Sequence, residues 1–392
     1  MEGEILARIC SNAEVVIGKE GLAQKLSSGR RLRIKLGVDP TRPDLTLGHM
    51  VVFNKLLQFQ RLGHTAIFLI GDFTTTIGDP SGRSEMRPIL SAEEIKKNEE
   101  TYLQQAFKIL DPALTEVRHN GEWFGSMGAA DLLALSREVT VAQFIDRDDF
   151  SKRYKGGQPI SLVEFLYPLI QGYDSVMLEA DVELGGSDQL FNMLVGRALQ
   201  KKRSMEEQSV ICMPLLLGLD GHRKMSKSLG NYVAFNDNPR DMFGKIMSIG
   251  DEIMWSYYRL LLGKGEEEIG QMAQLHPMEM KKSLARQLVA LFHSEATAAD
   301  ACEEFERVFS RNEIPDSMEE IDLVQLHGKA EVALVDALAA TGKFRGKNEI
   351  RRLISQGAVR MNGAPIHSAD AILCSGSECI IQVGKRHYFR VK

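Results

Sequence analysis

Residues 32–38, Leu-Arg-Ile-Lys-Leu-Gly-Val, alternate apolar and polar side chains and predict a strand. The run stops at Asp39-Pro40-Thr41-Arg42-Pro43, where two prolines fix φ and remove backbone donors, so a loop is expected. Met50, Phe53 and Leu57, flanked by Leu47 and Val51, then recur at helical spacing until Gly63, a glycine stop. Thr65 to Ile70 follows as a nearly all-apolar run, the mark of a strand covered on both faces. Strand, helix and buried strand in this order form a βαβ unit, which implies a parallel sheet with a right-handed crossover.

In such sheets ligands bind beyond the carboxyl ends of the strands. Three further loops fit that position. Gly71-Asp72 runs into Gly78-Asp79-Pro80-Ser81-Gly82-Arg83; Val182-Glu183-Leu184 leads to Gly185-Gly186-Ser187-Asp188-Gln189 and a helix; Ser209 to Met213 leads through Pro214 and Asp220-Gly221 to Lys224-Met225-Ser226-Lys227-Ser228. From Asp237 to Glu320 the pattern turns helical, for example over Met280 to His293 with Leu284, Leu288 and Leu291. The last stretch predicts helices over Val332–Ala340 and Lys347–Gln356, separated by a basic loop. Short strands follow around Val359-Arg360-Met361, with Asn362-Gly363 as a type I′ hairpin turn. The expected division is a catalytic α/β domain at 1–235, a helical domain at 236–328 and a small α+β module at 329–392.

The 392 residues suffice for two or three domains. No run approaches the roughly 18 apolar residues of a membrane span, and Met1-Glu2-Gly3-Glu4 lacks a signal-peptide pattern, so a cytoplasmic protein without a membrane partner is expected. Five scattered cysteines fit a reducing compartment, and no histidine lies between Cys374 and Cys379 to suggest zinc. The net charge of -5 is unevenly spread: from Ala330 to Lys392 there are ten Lys/Arg against five Asp/Glu. A basic tail thus follows an acidic body.

Thr46-Leu47-Gly48-His49 opens the first helix directly after the first strand. Gly48 lets a flat ligand lie against the backbone, the helix start offers N–H groups to phosphate, and His49 can donate to developing charge. A capped helix with a surface histidine would use the same residues. Lys224 and Lys227 sit three residues apart on a loop between Gly221 and Gly230, where two mobile cations can close over a polyphosphate. A solvated lysine loop is the plainer alternative. Tyr167, Gln171 and Asp174, at i, i+4 and i+7, share one helix face, as either a binding site or a polar surface stripe requires. Lys343, Arg345, Lys347, Arg351 and Arg352 cluster on a loop and helix start with only Glu349 interrupting. That pattern points to nucleic-acid phosphate rather than a mixed-sign solvated face.

In combination, Gly37-Val38-Asp39-Pro40-Thr41, Leu47-Gly48-His49, Gly78-Asp79-Pro80-Ser81-Gly82, Tyr167 with Gln171 and Tyr173-Asp174, Gly185–Gln189 and the Lys-Met-Ser-Lys-Ser loop resemble the class I aminoacyl-tRNA synthetases, specifically the bacterial tyrosyl enzymes. The C-terminal module resembles the small RNA-binding domain shared with a ribosomal small-subunit protein, so the resemblance spans the chain. It implies a Rossmann-like catalytic domain, ATP as substrate with Mg²⁺ and no dedicated protein metal site, tyrosine and tRNA as partners, and a homodimer. It also implies that Asp79, Tyr167 and Gln171 hold the tyrosine ammonium, Asp174 accepts the phenol, and Gln189 orients the amino acid. Asp39, Gly186 and Asp188 would line the ribose and adenosine, while Thr41, Thr46, Gly48, His49, Lys224, Met225, Lys227 and Ser228 would surround the nucleotide and its phosphates, with Arg83 and Arg87 nearby. The five basic residues of the tail would contact tRNA.

A buried Asp174 would be left unpaired by phenylalanine, so selection would rest on a hydrogen bond, a rule for which tyrosyl enzymes are themselves the standard illustration. Two positions depart from the family pattern. Thr46 stands where histidine is usual, which exchanges an imidazole donor for a hydroxyl. Lys35 stands where many relatives carry a second phenol-binding tyrosine, and alternation along its strand also allows it to point outward. Three other readings stay open on residues alone: a tryptophanyl enzyme, a metabolite adenylyltransferase, and a synthetase-derived RNA-binding protein without ligase activity.

Overall fold

A computed structural model describes residues 2–81, 90–310, 318–324, 331–376, 378–384 and 387–392. Within them the alternating segment becomes β2 (Arg33–Val38) and the apolar run becomes β3 (Thr65–Ile70). With β1 (Val15–Ile17), β4 (Thr115–His119), β5 (Val182–Gly186) and β6 (Ser209–Met213) they form a sheet of order β1-β6-β5-β2-β3-β4. All neighbours are parallel except β1, which runs antiparallel to β6. Ala66 to Ile70 are buried because helices cover both faces, each large apolar side chain contributing about 1.5–3 kcal/mol of burial. Chain order reverses between β2 and β5, which leaves a crevice at their carboxyl ends.

The helix Leu47–Gln60 starts at Thr46, whose extended backbone is that of an N-cap residue. Gly63, at φ 85°, follows its end. Met50, Phe53, Leu56 and Phe59 are buried, and Phe53 meets Phe68 of β3 edge-on at 5.7 Å. Helices Leu162–Met177 and Leu190–Lys202 cross at Gly172 and Gly196. A Cβ on Gly172 would lie 2.9 Å from the Gly196 nitrogen, so the close approach requires glycine there.

The chain gathers into two compact units, residues 1–238 with 245–284, and residues 239–244 with 285–392. The first holds the six-stranded sheet. The second contains helix Glu295–Ser310, β7 (Glu319–Ile321), β8 (Glu331–Ala333), helices Leu334–Ala340 and Lys347–Ser355, β9 (Val359–Met361), β10 (Ala364–Pro365), β11 (Ile372–Cys374), β12 (Cys379–Val383) and β13 (His387–Val391). The strand order is β10-β9-β12-β13-β7, with β11-β8 apart. Ile350, Ile354, Val359, Ile381 and Phe389 share its core. Asn362 and Gly363 both take positive φ, 49° and 85°, as a type I′ turn demands. Two details depart from the sequence pattern. Val332 lies in β8 rather than a helix, and Glu319–Ile321, which begins at the end of the stretch that reads as helical, is a strand parallel to β13. A three-residue strand whose partner lies far along the chain leaves no local signal.

Among the described residues, no helix is long and apolar enough to cross a membrane.

Candidate active site

A cavity of about 900 Å³ opens at the carboxyl ends of β2 and β5. Of the residues expected on the catalytic side, all but Arg83 and Arg87 line it; those two lie outside the described residues.

Tyr167, Gln171 and Asp174 reach the cavity from helix Leu162–Met177, so the i, i+4, i+7 face is a cavity wall and not a surface stripe. Asp174 is 2% exposed. Trp123 Nε1 donates to its Oδ1 at 3.0 Å and Asn120 Nδ2 to its Oδ2 at 3.3 Å. Burial pushes its carboxyl up to about 7, opposed by the Lys35 charge and the two donors. Tyr167 donates its hydroxyl to Asp39 Oδ2 at 2.9 Å, and Thr74 Oγ1 donates to Asp39 Oδ1 at 2.8 Å.

A second polar wall is built around the fully buried Asn192 on helix Leu190–Lys202. Its amide donates to Gln171 Oε1 at 2.8 Å and Gln189 Oε1 at 3.2 Å, while Arg147 donates to its Oδ1 at 3.1 Å. Gln189 Nε2 in turn donates to Asp79 Oδ2 at 3.1 Å. Asp79, Gln171 and Gln189 are thus oriented through one amide that no sequence motif marks. Its only local signal is a lone amide inside the apolar run Leu190-Phe191-Asn192-Met193-Leu194.

Lys35 is completely buried, against the expectation that alternation could turn it outward. The sheet is covered on both faces, so alternation does not mark a solvent side. Its ammonium pairs with Glu183 Oε1 at 2.9 Å and donates to Gln171 O at 2.9 Å and Ser175 Oγ at 2.8 Å.

At the other end of the cavity the two short motifs meet. Leu47 N donates to Val233 O at 3.0 Å and Phe235 N to Leu45 O at 2.9 Å, which ties the helix start to the chain after the lysine loop. Thr46 N donates to His49 Nδ1 at 3.1 Å, with Thr46 Oγ1 2.9 Å from the same nitrogen. The Thr46 hydroxyl is therefore turned onto His49. With Nδ1 accepting, the neutral ring carries its proton on Nε2. Burial, and after it the Lys227 charge, push that imidazole down to about 3. A Cβ on Gly48 would meet Thr46 Oγ1 at 3.4 Å and Met225 Cβ at 3.7 Å.

The lysine loop is fixed by Asn231, whose Oδ1 accepts from Ser226 N at 2.9 Å and whose Nδ2 donates to Lys224 O at 3.1 Å. Lys224 Nζ donates to Asp188 Oδ2 at 2.8 Å. Lys227 Nζ donates to Tyr102 Oη and Asp44 O, both at 2.7 Å. Ser226 and Ser228 hydroxyls lie 2.9 Å apart. Thr41 and Gly186 complete the rim. Two ammonium groups and a neutral imidazole thus face one cavity, arranged to receive polyphosphate at this end and a polar organic group at the other.

In the second unit, Lys343, Arg345, Lys347, Arg351 and Arg352 are all exposed. Lys343 lies 3.4 Å from Glu319 and Lys347 2.9 Å from Asp336, so part of the positive charge is locally paired.

Residues 27–310 match the family model described as tRNA synthetases class I (W and Y). A Vibrio parahaemolyticus protein named tyrosine–tRNA ligase 2 is 49% identical over 391 residues, 98% of each chain. A Thermotoga maritima tyrosine–tRNA ligase is 48% identical over 386 residues, 97% of this chain and 95% of the relative. Among solved structures, an Archaeoglobus fulgidus tyrosyl-tRNA synthetase complexed with L-tyrosine superposes with TM-score 0.63 at 22% identity, covering 77% of this chain and all of that one. A truncated Aspergillus nidulans mitochondrial tyrosyl-tRNA synthetase gives 0.65 at 21%, covering 79% and 94%; at these identities the likeness shows the fold. The family match and the near-complete alignments to curated relatives together mean that the chain belongs to the class I tRNA synthetases, in the family of the tryptophan and tyrosine enzymes.

Proposed function

We propose that this protein is a tyrosine–tRNA ligase, which activates tyrosine with ATP to tyrosyl-adenylate and pyrophosphate and then transfers tyrosine to the 3′ end of its tRNA. The observation that carries the choice of tyrosine is Asp174: a buried carboxylate, held by Trp123 and Asn120, at a cavity wall. A phenol adds a further donor to it; phenylalanine or the tryptophan indole ring carbons would leave its remaining acceptor capacity unsatisfied in a desolvated wall.

Asp79, Tyr167 and Gln171 suit the substrate ammonium and Gln189 steadies the amino acid. Asp39, Gly186 and Asp188 suit the ribose side. Gly48 and Met225 suit the base, and Thr41, Thr46, His49, Lys224, Lys227 and Ser228 the phosphates, with Arg83 and Arg87 assigned there from sequence. The tyrosine carboxylate is already an anion and attacks the α-phosphorus directly, so the enzyme supplies position and charge rather than a nucleophile. Lys224, Lys227 and the Nε2–H of His49 stabilise charge on the departing pyrophosphate. Mg²⁺ arrives with ATP, because it keeps several waters and prefers phosphate oxygens to an all-protein cage.

In this reading residues 1–235 carry the chemistry, 236–328 face the anticodon side, and 329–392 hold tRNA through Lys343, Arg345, Lys347, Arg351 and Arg352. A homodimer is what the family resemblance implies. The site of action is the cytoplasm. Incubation with ATP, Mg²⁺, labelled tyrosine and bacterial tRNA tests the whole sequence: label should appear on tRNA, and label from tryptophan instead would overturn the assignment.

A further inference from the structure

Lys35 and Glu183 are register partners on the parallel strands β2 and β5, 0% and 2% exposed, and both line the cavity. Such a pair is costly to bury, and an apolar pair of similar volume is often as stable. What distinguishes this one is where its remaining bonds go. Lys35 Nζ reaches Gln171 O and Ser175 Oγ, and Ser175 Oγ donates onward to Glu183 Oε2 at 3.0 Å. Gln208 Nε2 also donates to Glu183 Oε2. The ammonium is therefore bonded to the helical turn that carries Gln171 at one end and Asp174 between the two contacts.

We propose that Lys35 is a positioning residue for the selection of tyrosine: with Glu183 as its counter-ion, it fastens the Gln171–Ser175 turn to the sheet and brings positive charge to the wall where Asp174 stands. The inference rests on the tyrosine reading above. The charged groups acting most strongly on Asp174 are Lys35 from β2 and Glu183 from β5, with Asn120 and Trp123 as neutral donors. Both donors favour the carboxylate over the acid. The Lys35 cation acts in the same sense and outweighs Glu183, which opposes it. An ionised Asp174 is an acceptor only, which suits a phenolic O–H and gives nothing to an apolar ring.

The test measures tyrosine-dependent pyrophosphate exchange with the intact chain as wild type, Lys35→Met and Lys35→Met/Glu183→Met. Lys35→Met should raise the KM for tyrosine by about tenfold or more and leave the KM for ATP unchanged, a neighbouring charge being worth about one pKa unit or more. Because it leaves the buried Glu183 without its counter-ion, it should also lower the melting temperature. The double variant removes both charges and should recover stability. It should nonetheless keep a raised tyrosine KM, a narrowed tyrosine-to-phenylalanine ratio and an acid limb moved to higher pH. A double variant with wild-type tyrosine KM, selectivity and pH limb would show the pair to be only structural and overturn the proposal. Wild-type protein without tyrosine-dependent exchange would instead overturn the functional reading beneath it.

Discussion

Lys224 Nζ lies 2.8 Å from Asp188 Oδ2, so the first lysine of the mobile-cation loop is held by a carboxylate that faces the same cavity. If Asp188 serves the ribose and Lys224 the phosphates, this pair must part during each turnover. Lys224 is 39% exposed in its side chain, so the bond is screened and cheap to break. Lys224→Ala should leave tyrosine affinity within about twofold while lowering the exchange rate by roughly 100-fold, the usual scale for loss of one charge-stabilising group. Equilibrium tyrosine binding beside steady-state exchange checks this; a matching loss in both would move Lys224 into the tyrosine site.

The pH dependence of tyrosine recognition should be set by Asp174. Its carboxyl is pushed up to about 7 by burial, so it takes a proton as pH falls through that value and ceases to be a pure acceptor. The kcat/KM for tyrosine should therefore fall about tenfold per unit below pH 7 and level off above it. His49, pushed down to about 3, stays neutral throughout this window. His49→Asn should slow exchange without displacing the limb, and a limb that vanishes in that variant would assign it to the imidazole instead.

Gly48 offers a separation of stability from function. A Cβ there meets its neighbours at ordinary contact distances, so Gly48→Ala fits the fold. Alanine also gains about 0.5–1 kcal/mol over glycine within a helix. The melting temperature should be unchanged or higher, while the KM for ATP rises, because the added methyl occupies the floor against which the base would lie. A destabilised variant with normal ATP kinetics would contradict the assignment.

Much of this site is local in sequence and some of it is not. Thr46 to His49 and Lys224 to Ser228 carry their own chemistry within a few residues, and helical spacing alone puts Tyr167, Gln171 and Asp174 on one face. β4 gives no such signal. Thr115-Glu116-Val117-Arg118-His119 is an edge strand with charged side chains and only partial burial. Asn120 and Trp123, which follow it and hold Asp174, are hidden for the same reason. Lys35 is misleading for a different one: period-two alternation assigns a polar residue to solvent only when one face of the sheet is wet. Its counter-ion Glu183 lies on a strand brought alongside by the crossover, which no local pattern reveals.

The basic module should affect charging and not activation. Arg351 and Arg352 are exposed on helix Lys347–Ser355, whose buried side is Ile350 and Ile354, so reversing them leaves the core intact. Arg351→Glu/Arg352→Glu should leave pyrophosphate exchange at wild-type rate, raise the KM for tRNA, and reduce the salt slope of tRNA binding by about 1 for each phosphate that is no longer neutralised. An unchanged tRNA KM and salt slope would remove this surface from the tRNA path.

Exchange of labelled pyrophosphate into ATP, run with each of the common amino acids in turn, tests the account most directly, because it needs no tRNA and reads the Asp174 end and the lysine end together. Tyrosine is predicted to drive exchange, with phenylalanine and tryptophan near background. Exchange driven by tryptophan, or by no amino acid, would contradict it.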